Sequence, residues 1–104
     1  MKSLDNKVCV VTGAAGVLCS AMVEAMLEEG AKVALLGRTE SKLSDLKAEL
    51  AAKGLTETLV TPADVLNEDA LREVKQQIND KWGKIDILIN GAGGNHPKAT
   101  SPAE

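Results

Sequence analysis

Thr12-Gly13-Ala14-Ala15-Gly16-Val17-Leu18-Cys19 sets two glycines three residues apart, directly after the apolar run Val8 to Val11 and directly before a stretch with helical spacing. Glycines let a backbone turn tightly and approach a ligand with no side chain in the way. A helix that begins there adds unpaired N–H groups and the positive end of its dipole. Such a turn is an anion site, and a pyrophosphate suits it. Gly13 and Gly16 fit the turn and the close approach, while Cys19 takes the place where a small residue lets the helix pack on the strand. The same spacing also serves a tight turn with no ligand.

A second place for chemistry follows the next apolar run, where Gly37-Arg38-Thr39 stands. An acid at the end of that run would bind a ribose 2′-hydroxyl and repel a 2′-phosphate. Gly37 is no acid, and the Arg38 guanidinium can grip a 2′-phosphate through charge-assisted bonds, which favours NADP over NAD. Otherwise Arg38 is a solvated residue at a helix start and Gly37 a turn residue. Asp64-Val65-Leu66-Asn67 can be read as a helix entry capped by Asp64. His96 and Lys98 flank Pro97 as a cationic pair that would attract a carboxylate, or as exposed loop residues. The chain contains no tyrosine, so no phenol chemistry belongs to it alone.

These residues need a frame. Val8 to Val11, Lys32 to Leu36, Thr58 to Thr61 and Ile85 to Ile89 read as strands. Between them lie helical patterns: Val17 to Glu29, with Leu18, Met22, Ala25 and Met26 as an apolar stripe; Leu43, Leu46 and Leu50; and Leu71, Val74, Ile78 and Trp82, the last a packing residue. Gly30, Gly54 and Gly83 are the helix stops. The order βαβαβαβ predicts an α/β fold: a Rossmann-like parallel sheet in the strand order 3-2-1-4, stopping after the fourth strand, with ligand at the carboxyl ends. The 104 residues make one domain, and residues 91–104 a loop leading toward a missing C-terminal half. A sheet left open there predicts self-association into a homo-oligomer, or association with that half.

Composition narrows the function. Basic residues are scattered and the formal charge is −3, which argues against nucleic acid. The start reads neither as a signal peptide nor as a membrane span, so the expected location is the cytoplasm, with no membrane partner. Cys9 and Cys19 form no CxxC and have one histidine for company, which predicts no metal and two small buried thiols.

Thr12 to Cys19, Asp64-Val65, the stretch Trp82-Gly83-Lys84-Ile85-Asp86-Ile87-Leu88-Ile89 and Asn90-Gly91-Ala92-Gly93 together resemble the short-chain dehydrogenase/reductase family over the whole chain. The loop resembles the family's TGxxxGxG motif, with Val17 and Cys19 where most members have glycine. The resemblance implies a dinucleotide held by Gly13, Ala15, Gly16, Val17, Leu18, Gly37, Arg38 and Thr39. Asp64 with Val65 would take the adenine amino group, and Asn90, Gly91, Ala92 and Gly93 would support the sheet and face the cofactor. The variant loop and Gly91 to Thr100 resemble the family's D-mannonate oxidoreductase and fructuronate reductase-like members, implying a sugar-acid substrate. The Ser, Tyr and Lys that perform the family's hydride transfer have no counterpart in this chain, which is expected to be inactive alone. It is then the cofactor-binding part of an oxidoreductase, a non-catalytic nucleotide-binding module or split subunit, or a structural self-associating fragment.

Overall fold

The computed structural model describes residues 3–91. In chain order these form β1 (Val8–Thr12), α1 (Val17–Glu28), β2 (Lys32–Gly37), α2 (Glu40–Ala52), β3 (Thr58–Pro62), α3 (Glu68–Trp82) and β4 (Ile87–Asn90). Every strand pairing is parallel, as the alternation predicts, and the order is β3-β2-β1-β4. Residues 92–104, including Ala92, Gly93, His96 and Lys98, lie outside the described residues.

The uninterrupted apolar runs of β1 and β2 follow from burial on both faces. On one face Cys9, Val11, Val33 and Leu35 pack with Val23 and Leu27 of α1 and with Leu43, Leu46 and Leu50 of α2. On the other, Val8, Val10, Ala34 and Leu36 meet Val74 and Ile78 of α3, with Trp82 against the same cluster. β3 is more polar, and its Thr61 hydroxyl compensates by donating to the Leu35 carbonyl at 3.0 Å. α2 and α3 begin before their first large apolar residue, at Glu40 and Glu68, where acids favour the positive end of the dipole. Asn67 caps α3 by accepting from the Ala70 N–H at 3.0 Å.

Two expectations need correction. The buried residues of α1 are Val23 and Leu27, with Cys19 and Met26 against the same core, whereas Leu18 is 80% and Met22 38% exposed. α1 is apolar on nearly every side, so spacing alone cannot choose the inward face. β4 starts at Ile87 rather than Ile85. Asp86, just ahead of it, accepts the Val8 N–H on Oδ2 at 2.9 Å and pairs with Lys84 at 3.1 Å, fastening the start of β4 to the start of β1. The Val8 amide first, then Lys84, hold the Asp86 carboxyl below the usual carboxylate range.

Candidate functional site

The parallel sheet brings the carboxyl ends of β1, β2 and β3 to one edge, where each strand hands over to a loop. After β1 the chain turns at Gly13, whose φ of 66° is strained for any residue with a Cβ. The turn is tied down from within: Ala14 N–H donates to the Leu36 carbonyl at 3.1 Å and Gly16 N–H to the Gly13 carbonyl at 3.0 Å. Gly16 is the N-cap of α1 and brings no side chain to cap it, and the first turn holds no acid. The leading amides of that helix, at Val17 and Leu18, have no carbonyl of their own helix to bond. A Cβ on Gly16 would meet only the Gly13 carbonyl oxygen, at the ordinary distance of 3.4 Å, with φ at −69°. Packing therefore does not require glycine at this position.

Gly13, Gly37, Arg38, Ala63, Asp64, Val65 and Leu66 line one cleft of about 320 Å³. Residues from three successive strand ends thus meet around it. Arg38 is exposed and has no ion-pair or hydrogen-bond partner among the described residues. Asp64 accepts the Leu66 N–H on Oδ1 at 2.9 Å, closing an Asx turn; the helix cap is Asn67, not Asp64.

Other predicted site residues are placed nearby but not in this cleft. Ala15 and Val17 line a neighbouring one with Ser20, Lys42 and Glu49. Val17 and Leu18 are 91% and 80% exposed. Thr39 is the N-cap of α2 and forms no side-chain cap bond. Asn90 faces Thr12 across the β1–β4 pairing, where its Oδ1 accepts from the Thr12 hydroxyl at 2.9 Å. Gly91 N–H donates to that hydroxyl at 2.8 Å, and a Cβ on Gly91 would collide with the Cys19 Sγ. Cys19 is accordingly half-buried, in contrast to the fully buried thiol expected, and only Cys9 is buried. Burial first, then the Asp86 carboxylate, pushes the Cys9 thiol up.

Adjoining this cleft lies an apolar groove of about 540 Å³, lined by Val10, Leu36, Leu71, Ile78 and Leu88 among others, with Val65 and Leu66 forming a wall common to both. Among the described residues, no group of three or more His, Cys, Asp or Glu is placed to hold a metal ion. No helix among them is long and apolar enough to cross a membrane.

The family model for short chain dehydrogenase matches residues 7–104. An uncharacterized oxidoreductase from Bacillus subtilis is 45% identical over 103 residues, covering 99% of this chain and 37% of its own. Two solved structures superpose closely. One is a proposed D-mannonate oxidoreductase from Haemophilus influenza with bound NAD, at a TM-score of 0.84 and 37% identity, covering 93% of this chain and 34% of that one. The other is L-sorbose reductase from Gluconobacter frateurii complexed with NADPH and L-sorbose, at 0.80 and 29%, covering 86% and 34%. The chain therefore spans about a third of the length of these relatives.

Proposed function

The chain belongs to the short chain dehydrogenase family, and on that premise we propose that it binds the adenosine and pyrophosphate end of NADP at the carboxyl ends of β1, β2 and β3. The observation that carries this reading is the convergence of Gly13, Gly37, Arg38 and Asp64 on one cleft. The pyrophosphate lies over the turn from Gly13 to Leu18, where the start of α1 favours negative charge. Arg38, unpaired and at the end of a strand that carries no acid, holds the 2′-phosphate in preference to a bare ribose hydroxyl. Asp64 accepts from the adenine amino group beside Val65, while Asn90 and Gly91 brace the adjoining strand end through Thr12.

NADP supplies hydride to, or takes it from, the carbon of a ketone or secondary alcohol. In a longer polypeptide of this family the substrate is a sugar acid, a reading supported by the likeness to the proposed D-mannonate oxidoreductase and to the sorbose reductase. The chain itself has no tyrosine to move the alcohol proton, and this favours a second reading, a module that binds nucleotide without turnover. Its partner on either reading is protein that covers β4, the last strand of the sheet, where Leu88 is 67% exposed. Calorimetric titration with NADP and then NAD tests the assignment: tighter binding of NADP is expected, and preference for NAD would reassign Arg38.

A further inference from the structure

The apolar groove bounded by α3 and β4 takes no part in the cofactor reading, and its lining has a composition of its own. Apart from Thr12, Lys75 and Asn90, every residue that lines it is apolar, and no carboxylate is among them. Val10, Leu36, Val74 and Ile78 are buried in the core at its base, while Leu88 is exposed. Its volume of about 540 Å³ is that of a small-molecule site. The polar residues turn donors toward a ligand. Thr12 is buried and engaged: its hydroxyl donates to Asn90 Oδ1 at 2.9 Å and accepts the Gly91 N–H at 2.8 Å. With Oδ1 turned to Thr12, the exposed Asn90 is left with its amide N–H groups, which donate to no described residue. Lys75 is exposed too, and has no ion-pair or hydrogen-bond partner among the described residues. A lysine on an apolar wall lays its stem along that wall and keeps its ammonium in water at the rim.

We infer that this groove is a binding site for a medium-chain fatty carboxylate, its alkyl chain lying on the apolar lining and its head at Lys75. The body and the head of such a ligand meet different parts of the site. Burial of the alkyl chain removes apolar surface of both partners from water. The one charge of a carboxylate is matched by the one cation of the lining, with the Asn90 amide as a further donor. A cationic head would be repelled there, and an uncharged alcohol would gain the apolar burial alone. The site stands apart from the cleft assigned to the dinucleotide, so the inference does not depend on the cofactor reading.

Calorimetric titration of the full chain with decanoate, decanol and decyltrimethylammonium, each below its micellar or solubility limit, tests the inference. Decanoate is expected to saturate in a one-to-one complex, decanol to bind about ten-fold more weakly for want of the charge-assisted contact, and the trimethylammonium not to bind detectably. Lys75→Gln should bring decanoate to the level of decanol and leave decanol and NADP unchanged, whereas Lys75→Arg should keep the affinity. Lys75 is exposed, so neither variant should alter the melting temperature. A second copy that covers Leu88 would take the same surface, so decanoate should also lower the light scattering of the self-associated chain. Equal binding of decanoate and decanol, or decanoate binding that survives Lys75→Gln, would overturn the inference. So would a chain that binds no decanoate and whose scattering decanoate leaves unchanged, which would give the groove to a second copy. NADP titrated alongside decides the cofactor reading separately.

Discussion

Cys19 and Gly91 share one space: a Cβ on Gly91 would collide with the Cys19 Sγ and lie 2.9 Å from the Thr12 carbonyl oxygen. The first turn of α1 and the end of β4 are thereby fitted to each other directly behind the turn from Gly13 to Gly16. Gly91→Ala is expected to destabilise the chain by about 1–3 kcal/mol through overpacking. Removing the sulfur in Cys19→Ala should relieve part of that cost, so the double variant should lose less than the two single losses added together, by about 1 kcal/mol. Urea unfolding followed by the fluorescence of Trp82, the single aromatic residue, measures the coupling. Additive losses would show that the two residues do not share the space.

Asp86 ties stability to pH. Its carboxyl is held below the usual range in the folded chain by the Val8 amide and Lys84, with Lys7 adding a smaller attraction. In the unfolded chain it titrates at about 3.9. A depressed folded value means stabilisation that is complete above the unfolded value and is lost as pH falls through the folded one. Asp86→Asn should therefore lower the melting temperature at pH 7, and the gap from the unsubstituted chain should close as the solution is taken below about pH 4. A gap that persists undiminished in acid would contradict the assignment.

Arg38 sets cofactor choice on this account. Arg38→Ala should weaken NADP by about 1–2 kcal/mol, the scale of one charge-assisted contact at a partly exposed site, and leave NAD unchanged. Competition with 2′-phospho-AMP checks it independently. Equal losses for both dinucleotides would mean that Arg38 contributes general charge and does not read the 2′-phosphate.

Much of this was legible from residue order. Four apolar runs separated by helical patterns are enough for the parallel sheet, because parallel neighbours need crossovers; the strand order 3-2-1-4 rests instead on the likeness to dinucleotide-binding sheets. The meeting of Gly13, Gly37, Arg38 and Asp64 then follows from topology, since each stands at the carboxyl end of its strand. What stayed hidden depends on side-chain direction and long-range contact. α1 presents apolar residues all round, so its exposed stripe of Leu18 and Met22 could pass for the buried one. The Asp86 bond to Val8 joins residues 78 positions apart, and the fit of Cys19 to Gly91 appears only once β4 lies beside β1.

The exposed apolar side chain on β4, the outer strand among the described residues, predicts assembly. Leu88 lines the apolar groove and is 67% exposed, a surface that another chain can cover. Light scattering at micromolar concentration should find the chain self-associated, and Leu88→Lys should shift it toward monomer. A monomer with a cooperative melt, unaffected by Leu88→Lys, would contradict the prediction.

The most direct measurement of the central claim is NADP binding by the unsubstituted chain and by Gly16→Val, followed by calorimetry, with circular dichroism as a check on the fold. The backbone at Gly16 accepts a side chain, with φ at −69° and a Cβ distance of 3.4 Å to the nearest atom, so the variant should keep the helical spectrum and melting cooperativity of the parent. A branched side chain would stand where the pyrophosphate approaches the turn. Saturable NADP binding by the unsubstituted chain, and none detectable by Gly16→Val, is the expected result. A folded variant that binds NADP as its parent does, or a folded parent that binds no dinucleotide, would contradict it.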